Sequence, residues 1–344
     1  MSAPHSDAVK SQEPFYFSQE FGEAAELESW MPGKDLRVIQ TGPASGRSRW
    51  TTAEISDFRF SHLVQRVPWL AETITLRAHY SLFMPVPDAA EALYGREPMP
   101  LGKIALYGSG SEHRSFVTDG GEWFCLTVPE ECVRRAVDSL VRTDAPYLTG
   151  RELVLSADAI SQAILADFHH LAFMLLVGDP DVFKSAEALG SLRESLLEVM
   201  SSVFGLIRGP QCSSAGALRR KARQLVMNRA KDYLAANADR TIVLRELCEA
   251  AGASKRHLQD LFLQELGMTP MRYLRNLRLK RVRRQLLDEG CSVKSAALGN
   301  GFWDLSRFAR NYRQVYGELP SETLRHVHPE VFAQGRSPRF LTSV

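Results

Sequence analysis

The chain has 344 residues, of which 44% are hydrophobic, 24% charged and 9% aromatic. Such a length fits two domains with real cores, and such a composition excludes a wholly disordered, collagen-like or fibrous chain. The net charge of +2 is unevenly divided: residues 1–215 carry 18 Lys and Arg against 28 Asp and Glu, and residues 216–326 carry 22 against 11. The basic part suits a polyanion; the alternative is a set of Arg-rich helix faces that are merely solvated.

Residues 1–14 have no apolar core and are expected to be disordered. The longest apolar run, 171–177, is far short of the ~18 residues that span a bilayer, so a cytoplasmic chain without membrane contact is expected. Five cysteines, Cys125, Cys132, Cys212, Cys248 and Cys291, form no CxxC pair and are expected as reduced thiols rather than zinc ligands.

Residues 72–82 alternate strictly, with Ile74, Leu76, Ala78, Tyr80 and Leu82 on one face and Thr73, Thr75, Arg77, His79 and Ser81 on the other, which predicts a strand. Residues 104–107 and 123–128 add β-like runs, separated by GSGSEH (108–113) and DGGE (119–122), as in a meander or small barrel. A helix over 158–176 is expected to bury Ile160, Ile164, Phe168, Leu171 and Leu175. A second, over 185–207, carries Leu189, Leu192, Leu196, Val199, Val203 and Leu206 at alternating spacings of three and four. That seam is either internal packing or a dimerisation face through Leu189, Leu192, Leu196, Val199 and Val203. RGPQCSSAG at 208–216 then predicts a linker.

The basic part repeats itself. Gly252 matches Gly301 at an offset of 49, and Leu258 with Phe308, Phe262 with Tyr312, Gly267 with Gly317 and Pro270 with Pro320 match at 50. In the first copy Leu244, Leu247, Cys248 and Ala251 keep helical spacing, Gly252 permits a sharp turn, and Ser254 can cap a second helix carrying Leu258, Leu261, Phe262 and Leu266. In the second, Ser292 and Asp304 are the caps and Gly301 the turn. Between them residues 270–287 predict one helix roughly 27 Å long, a spacing that would let both second helices reach successive major grooves ~34 Å apart.

These motifs, AGAS with HLQDLF, LGMTPMRYL, NGFWDLSRFAR and YGELPSETLR, resemble the DNA-binding domain of AraC/XylS-type transcription regulators over about residues 219–326. Val243 stands where that family usually has a capping Ser or Thr, and Leu324 where Tyr is common. The resemblance, together with helix direction, points to Lys255, Arg256, Gln259 and Asp260 in the first unit and Leu305, Ser306, Arg307 and Arg310 in the second as the base-facing residues. Asp260 either accepts from cytosine or orients Arg256. Arg275 and Arg278, near the joining helix, suit DNA phosphates. SLFMPV, LYGSGSEH and WFCLTVP resemble the cupin-like sensor domains of one branch of the same family.

The expected architecture is therefore two-domain α+β. It comprises a cupin-like β-barrel or meander with helices at 15–207, for effector binding and dimerisation, then a linker at 208–218. An all-α domain with two helix-turn-helix units joined by a long helix follows at 219–326, and a tail at 327–344. The resemblance implies a sequence-specific, effector-responsive DNA-binding transcription regulator, expected as an activator, with duplex DNA, a small-molecule effector, a second copy of itself and RNA polymerase as partners. The alternative is a dimeric DNA-binding or recruitment protein that senses nothing. Effector residues are expected at Tyr80, Tyr107, His113 and Trp123; Arg77 and His79 take that role only if the polar face of 72–82 points inward. No His and Glu cluster, phosphate loop or nucleophile motif is legible, so neither an enzyme, a metal site nor a cofactor is expected.

Overall fold

The computed structural model describes residues 15–30, 36–86, 92–94, 97–98, 103–117, 120–138, 152–156, 159–179, 181, 184–206, 214–288 and 291–329. The chain divides into two compact units, residues 1–38 with 45–213 and residues 214–344 with 39–44. The expected disordered start at 1–14 and the tail beyond 329 lie outside the described residues, as does the first part of the linker, 207–213. The rest of that expected linker, from Ser214, is already helical.

The first unit contains β1 (Phe15–Phe21), α1 (Ala24–Trp30), β2 (Arg37–Gln40), β3 (Ser48–Ile55), β4 (Phe58–Gln65), β5 (Trp69–Ile74), β6 (His79–Pro85), β7 (Ala92–Tyr94), β8 (Glu97–Pro98), β9 (Lys103–Tyr107), β10 (Glu112–Val117), β11 (Gly121–Pro129), α2 (Glu130–Asp138), β12 (Glu152–Ser156), α3 (Ala159–Gly178) and α4 (Ala186–Leu206). The strands make two open sheets, ordered β1-β3-β4-β11-β6-β9-β12 and β2-β5-β10-β7-β8, rather than a closed barrel. Because side chains alternate along a strand, the seven-stranded sheet has two different apolar faces. Phe58, Phe60, Tyr80, Leu82, Met84, Phe124, Leu126 and Val128 form a core with Val133 of α2, Leu165 and Phe173 of α3 and Leu196 and Met200 of α4. Leu63, Phe83, Tyr107 and Trp123 belong to the opposite side.

Four expectations change here. Residues 72–82 are not one strand. The chain turns between β5 and β6, with Ala78 at φ 59°, its amide donating to Ser109 Oγ (2.8 Å) and the His79 amide to the Leu76 carbonyl (3.2 Å). Ile74 and Leu76 are thereby left exposed. On α3, Ile160, Ile164, Leu171 and Leu175 face solvent, Phe168 packs partly buried against the core as expected, and Leu165, His169, Ala172, Phe173 and Leu176 are buried. The helix is apolar nearly all round, so periodicity did not identify which side meets the sheet. For the same reason residues 160–178 are long and apolar enough by composition to cross a bilayer, which the run 171–177 alone did not suggest. Finally, Leu192, Leu196 and Val203 are buried in the unit's own core and Leu189 and Val199 pack against it, so the seam on α4 is internal packing rather than a dimerisation face.

The second unit is helical: α5 (Ser214–Ala236), α6 (Leu244–Ala251), α7 (Lys255–Leu266), α8 (Pro270–Asp288), α9 (Val293–Gly299), α10 (Leu305–Tyr316) and α11 (Pro320–Val327). The 19 residues of α8 span roughly 28 Å. Leu279, Val282 and Leu286 of α8 pack with Phe308, Tyr312 and Val315 of α10. Arg283, almost wholly buried, joins α8 to the second copy by donating to Tyr312 Oη (2.9 Å), Thr323 Oγ1 (2.7 Å) and Glu318 (2.6 Å).

Candidate nucleic-acid interface and ligand cavity

The second helix of each unit is started by a side-chain cap. Ser254 Oγ accepts from the His257 amide (3.3 Å), and Asp304 Oδ1 accepts from the Arg307 amide (2.9 Å). The turns before them need left-handed residues: Gly252 has φ 66° and Gly301 φ 75°, and a Cβ at Gly301 would also lie 3.1 Å from the Asp239 carbonyl. Gly267 and Gly317 end both helices at φ 65° and 81°. Val243, before α6, contributes no side-chain cap.

Leu258, Leu261 and Phe262 anchor α7 and Phe308, Tyr312 and Val315 anchor α10. Helical geometry then turns Lys255, Arg256 and Asp260 outward on α7, with Gln259 half-buried, and Leu305, Ser306, Arg307 and Arg310 outward on α10. Arg256 Nε lies 3.9 Å from Asp260 Oδ2, one turn on, with both side chains well exposed. Trp303, which the sequence gave no reason to single out, is 68% exposed immediately before the α10 cap.

The two expected phosphate contacts differ. Arg275 is half-buried, its Nε has no hydrogen-bond partner among the described residues, and burial followed by the neighbouring Arg272 and Arg307 lowers its pKa. Three guanidinium groups on α8 and α10 thus repel one another, and an anion would relieve them. Arg278 is engaged otherwise, which corrects its assignment: Nε donates to the Ala238 carbonyl (2.6 Å) and Nη2 to that of Arg240, while Arg281 donates to Ala235 (2.8 Å). Both satisfy carbonyls at or just beyond the end of α5, as basic residues near helix C-termini do.

The first unit holds an apolar cavity, part of it open to solvent, between its two sheets. The inward positions of β4, β5, β10 and β11 line it, with Trp50, Leu63, Trp69, Phe83, His113 and Trp123 among them. Of the expected effector residues, His113 and Trp123 are there. Tyr107 stands directly behind, its ring stacked on His113 at 3.9 Å between centroids. Tyr80 is a correction: it is buried in the core on the helix side of β6, because an apolar strand face can be covered by helices as well as by a cavity. Arg77 is exposed in the turn, and His79 Nδ1 lies 2.8 Å from the Arg77 carbonyl. Sequence alternation did not find Trp50, Trp69 or Phe83, since nothing local says which face of their strands is inward. Among the described residues no three His, Cys, Asp or Glu side chains converge to hold a metal.

Residues 247–326, both units together, match the family pattern described as a helix-turn-helix domain. XylDLEGF operon transcriptional activator 2 of Pseudomonas putida is 36% identical over 135 residues, 38% of this chain and 77% of that protein. The chain belongs to the AraC/XylS family of transcription regulators. A longer AraC/XylS relative, the XylDLEGF operon transcriptional activator of Pseudomonas putida, is 43% identical over 106 residues, covering 30% of this chain and 33% of the relative. The match thus spans about a third of the length of such curated relatives. These relatives are regulators of transcription, not enzymes. A solved structure of a probable AraC family transcriptional regulator from Rhodopseudomonas palustris is 36% identical, with a TM-score of 0.29, covering 30% of this chain and 98% of its own.

Proposed function

We propose that this AraC/XylS member is an effector-responsive, cytoplasmic activator that binds promoter DNA as a homodimer, with α7 and α10 of each copy in successive major grooves. The observation that carries the reading is the duplicated, capped, exposed pair α7 and α10, each presenting Arg and a neutral polar residue, Gln259 or Ser306, and joined through the rigid length of α8. Arg suits the acceptor edge of guanine and Gln that of adenine, and Arg275 meets the backbone phosphate that sets the register. The names of the relatives support activation, which adds RNA polymerase as a partner. The domain assignment follows: residues 15–207 sense and dimerise, 208–218 link, and 219–326 bind DNA. The cavity between the sheets is the effector site of this cupin-like part.

Selection of binding sites from random duplexes followed by footprinting of the full chain, without ligand, tests this. The expected result is, for each of the two bound copies, two protected segments about 10 base pairs apart on one face of the DNA. A uniform coat with no selected sequence would overturn it.

A further inference from the structure

The cavity of the first unit has a chemical character that narrows what can enter it. Its walls are aromatic and aliphatic, and among the described residues no Asp, Glu, Lys or Arg lines it. The nearest buried charges are turned away from it: Glu72 and Arg114 alternate with the lining residues Ala71, Thr73, His113 and Ser115 and lie 3.4 Å from each other. An ion entering this space would lose its hydration and find no counter-charge, which is costly. Polar groups at the wall are largely spoken for: Ser61 Oγ lies 2.6 Å from Thr52 Oγ1, and Gln65 Nε2 donates to the Val67 carbonyl (2.9 Å). Thr73 and Ser115 add hydroxyls to the wall, and His113 adds a buried imidazole. His113 is 95% buried, Nδ1 lies 3.4 Å from Thr75 Oγ1, the ring also hydrogen-bonds the Ser111 backbone, and among the described residues Nε2 has no hydrogen-bond partner. A buried polar atom left unpaired is unfavourable unless something else meets it.

We propose that the cavity takes an uncharged ring compound, held between Trp50, Trp69, Trp123 and Phe83, whose single polar head hydrogen-bonds His113 Nε2. Aromatic walls supply large contact area to a flat ligand, and one convergent polar group fixes its direction. Burial holds the imidazole neutral by pushing its pKa down to about 3, so it offers no positive charge to a carboxylate. The stack on Tyr107 and the Thr75 contact hold the ring in place. This rests on the effector reading above and names the ligand class of that same site.

Equilibrium dialysis of the full chain at pH 7.5 with three probes of one shape tests it: 1-naphthol, which is uncharged, 1-naphthoate, which is anionic, and naphthalene, which has no head. Naphthol is expected to bind at least tenfold more tightly than naphthoate. His113→Phe, which keeps a ring against Tyr107, should weaken naphthol about fivefold and leave naphthalene within twofold, and Ala71→Phe, which fills the cavity, should abolish binding of both. Naphthoate binding as tightly as naphthol, naphthol indifferent to His113→Phe, or no binding by any probe would each overturn the proposal. The first comparison needs no variant, so it stands even where a substitution disturbs folding. The DNA footprint is made without ligand, so an intact footprint beside a failed probe order overturns the ligand class alone.

Discussion

Arg256 and Arg310 project exposed from α7 and α10, Arg256 with a loose 3.9 Å contact to Asp260. Each should therefore contribute through DNA. Arg256→Ala or Arg310→Ala is expected to cost about 1–3 kcal/mol on the selected site and to relax preference at one base pair, measured by titration against single-base variants. Arg275→Gln should instead weaken selected and random duplexes alike; a loss confined to the selected site would make it a base reader. Arg278 belongs to the fold. With its guanidinium on the Ala238 and Arg240 carbonyls and against Gly301, Arg278→Ala should lower the melting temperature without changing the salt dependence of DNA binding. A changed salt slope at constant stability would return it to the phosphate class. Two buried histidines give the first unit a pH response. Burial pushes both His113 and His169 from 6.5 down to about 3. The unfolded chain therefore takes up protons that the folded chain refuses, and stability falls as pH drops from about 6.5 toward 3. At pH 5 the loss is about 2 kcal/mol for each. Melts at pH 7.5 and 5 should show it, and a first unit equally stable at both would contradict the burial of these rings.

At the scale of elements, the helices of the second unit were legible because their signals are local. Ser254, Ser292 and Asp304 cap, Gly252 and Gly301 turn, and the apolar positions of α7 and α10 keep one period. The first unit was less so. Alternation over 72–82 ran through a turn whose reason is tertiary: Thr75 N donates to the Ser111 carbonyl and Ala78 N to Ser109, both in the loop before β10. On α4 the heptad-like spacing was correct, but its partner was the sheet and α3 rather than a second chain. Leu196 is fully buried, so Leu196→Glu should place an unpaired carboxylate in the core and destabilise the unit by more than about 4 kcal/mol, read as loss of a cooperative melt. A folded monomer would instead restore the dimer seam. The exposed side of α3 carries Ile160, Ile164, Leu171, Met174 and Leu175.

For the whole molecule, the charge division anticipates where DNA is met. With most of its phosphate contacts expected from the basic 216–326 segment, the full chain should lose at least ~100-fold in DNA affinity between 50 and 200 mM salt, because each phosphate neutralised releases a counterion. Flat affinity across that range would remove the electrostatic argument. The sequence by itself determined the two-part organisation, the duplicated helix-turn-helix units, their caps and the outward Arg residues. Each of those depends on neighbours a few positions away, on periodicity or on a sum of charges. Only the tertiary structure decided that Tyr80 faces helices while Phe83 and Trp123 face a cavity, that α3 turns most of its predicted core side outward, and that Arg278 holds the end of α5. Those outcomes depend on which surface covers a given face, and two apolar faces of one strand or helix carry the same local pattern until a distant segment packs on one of them.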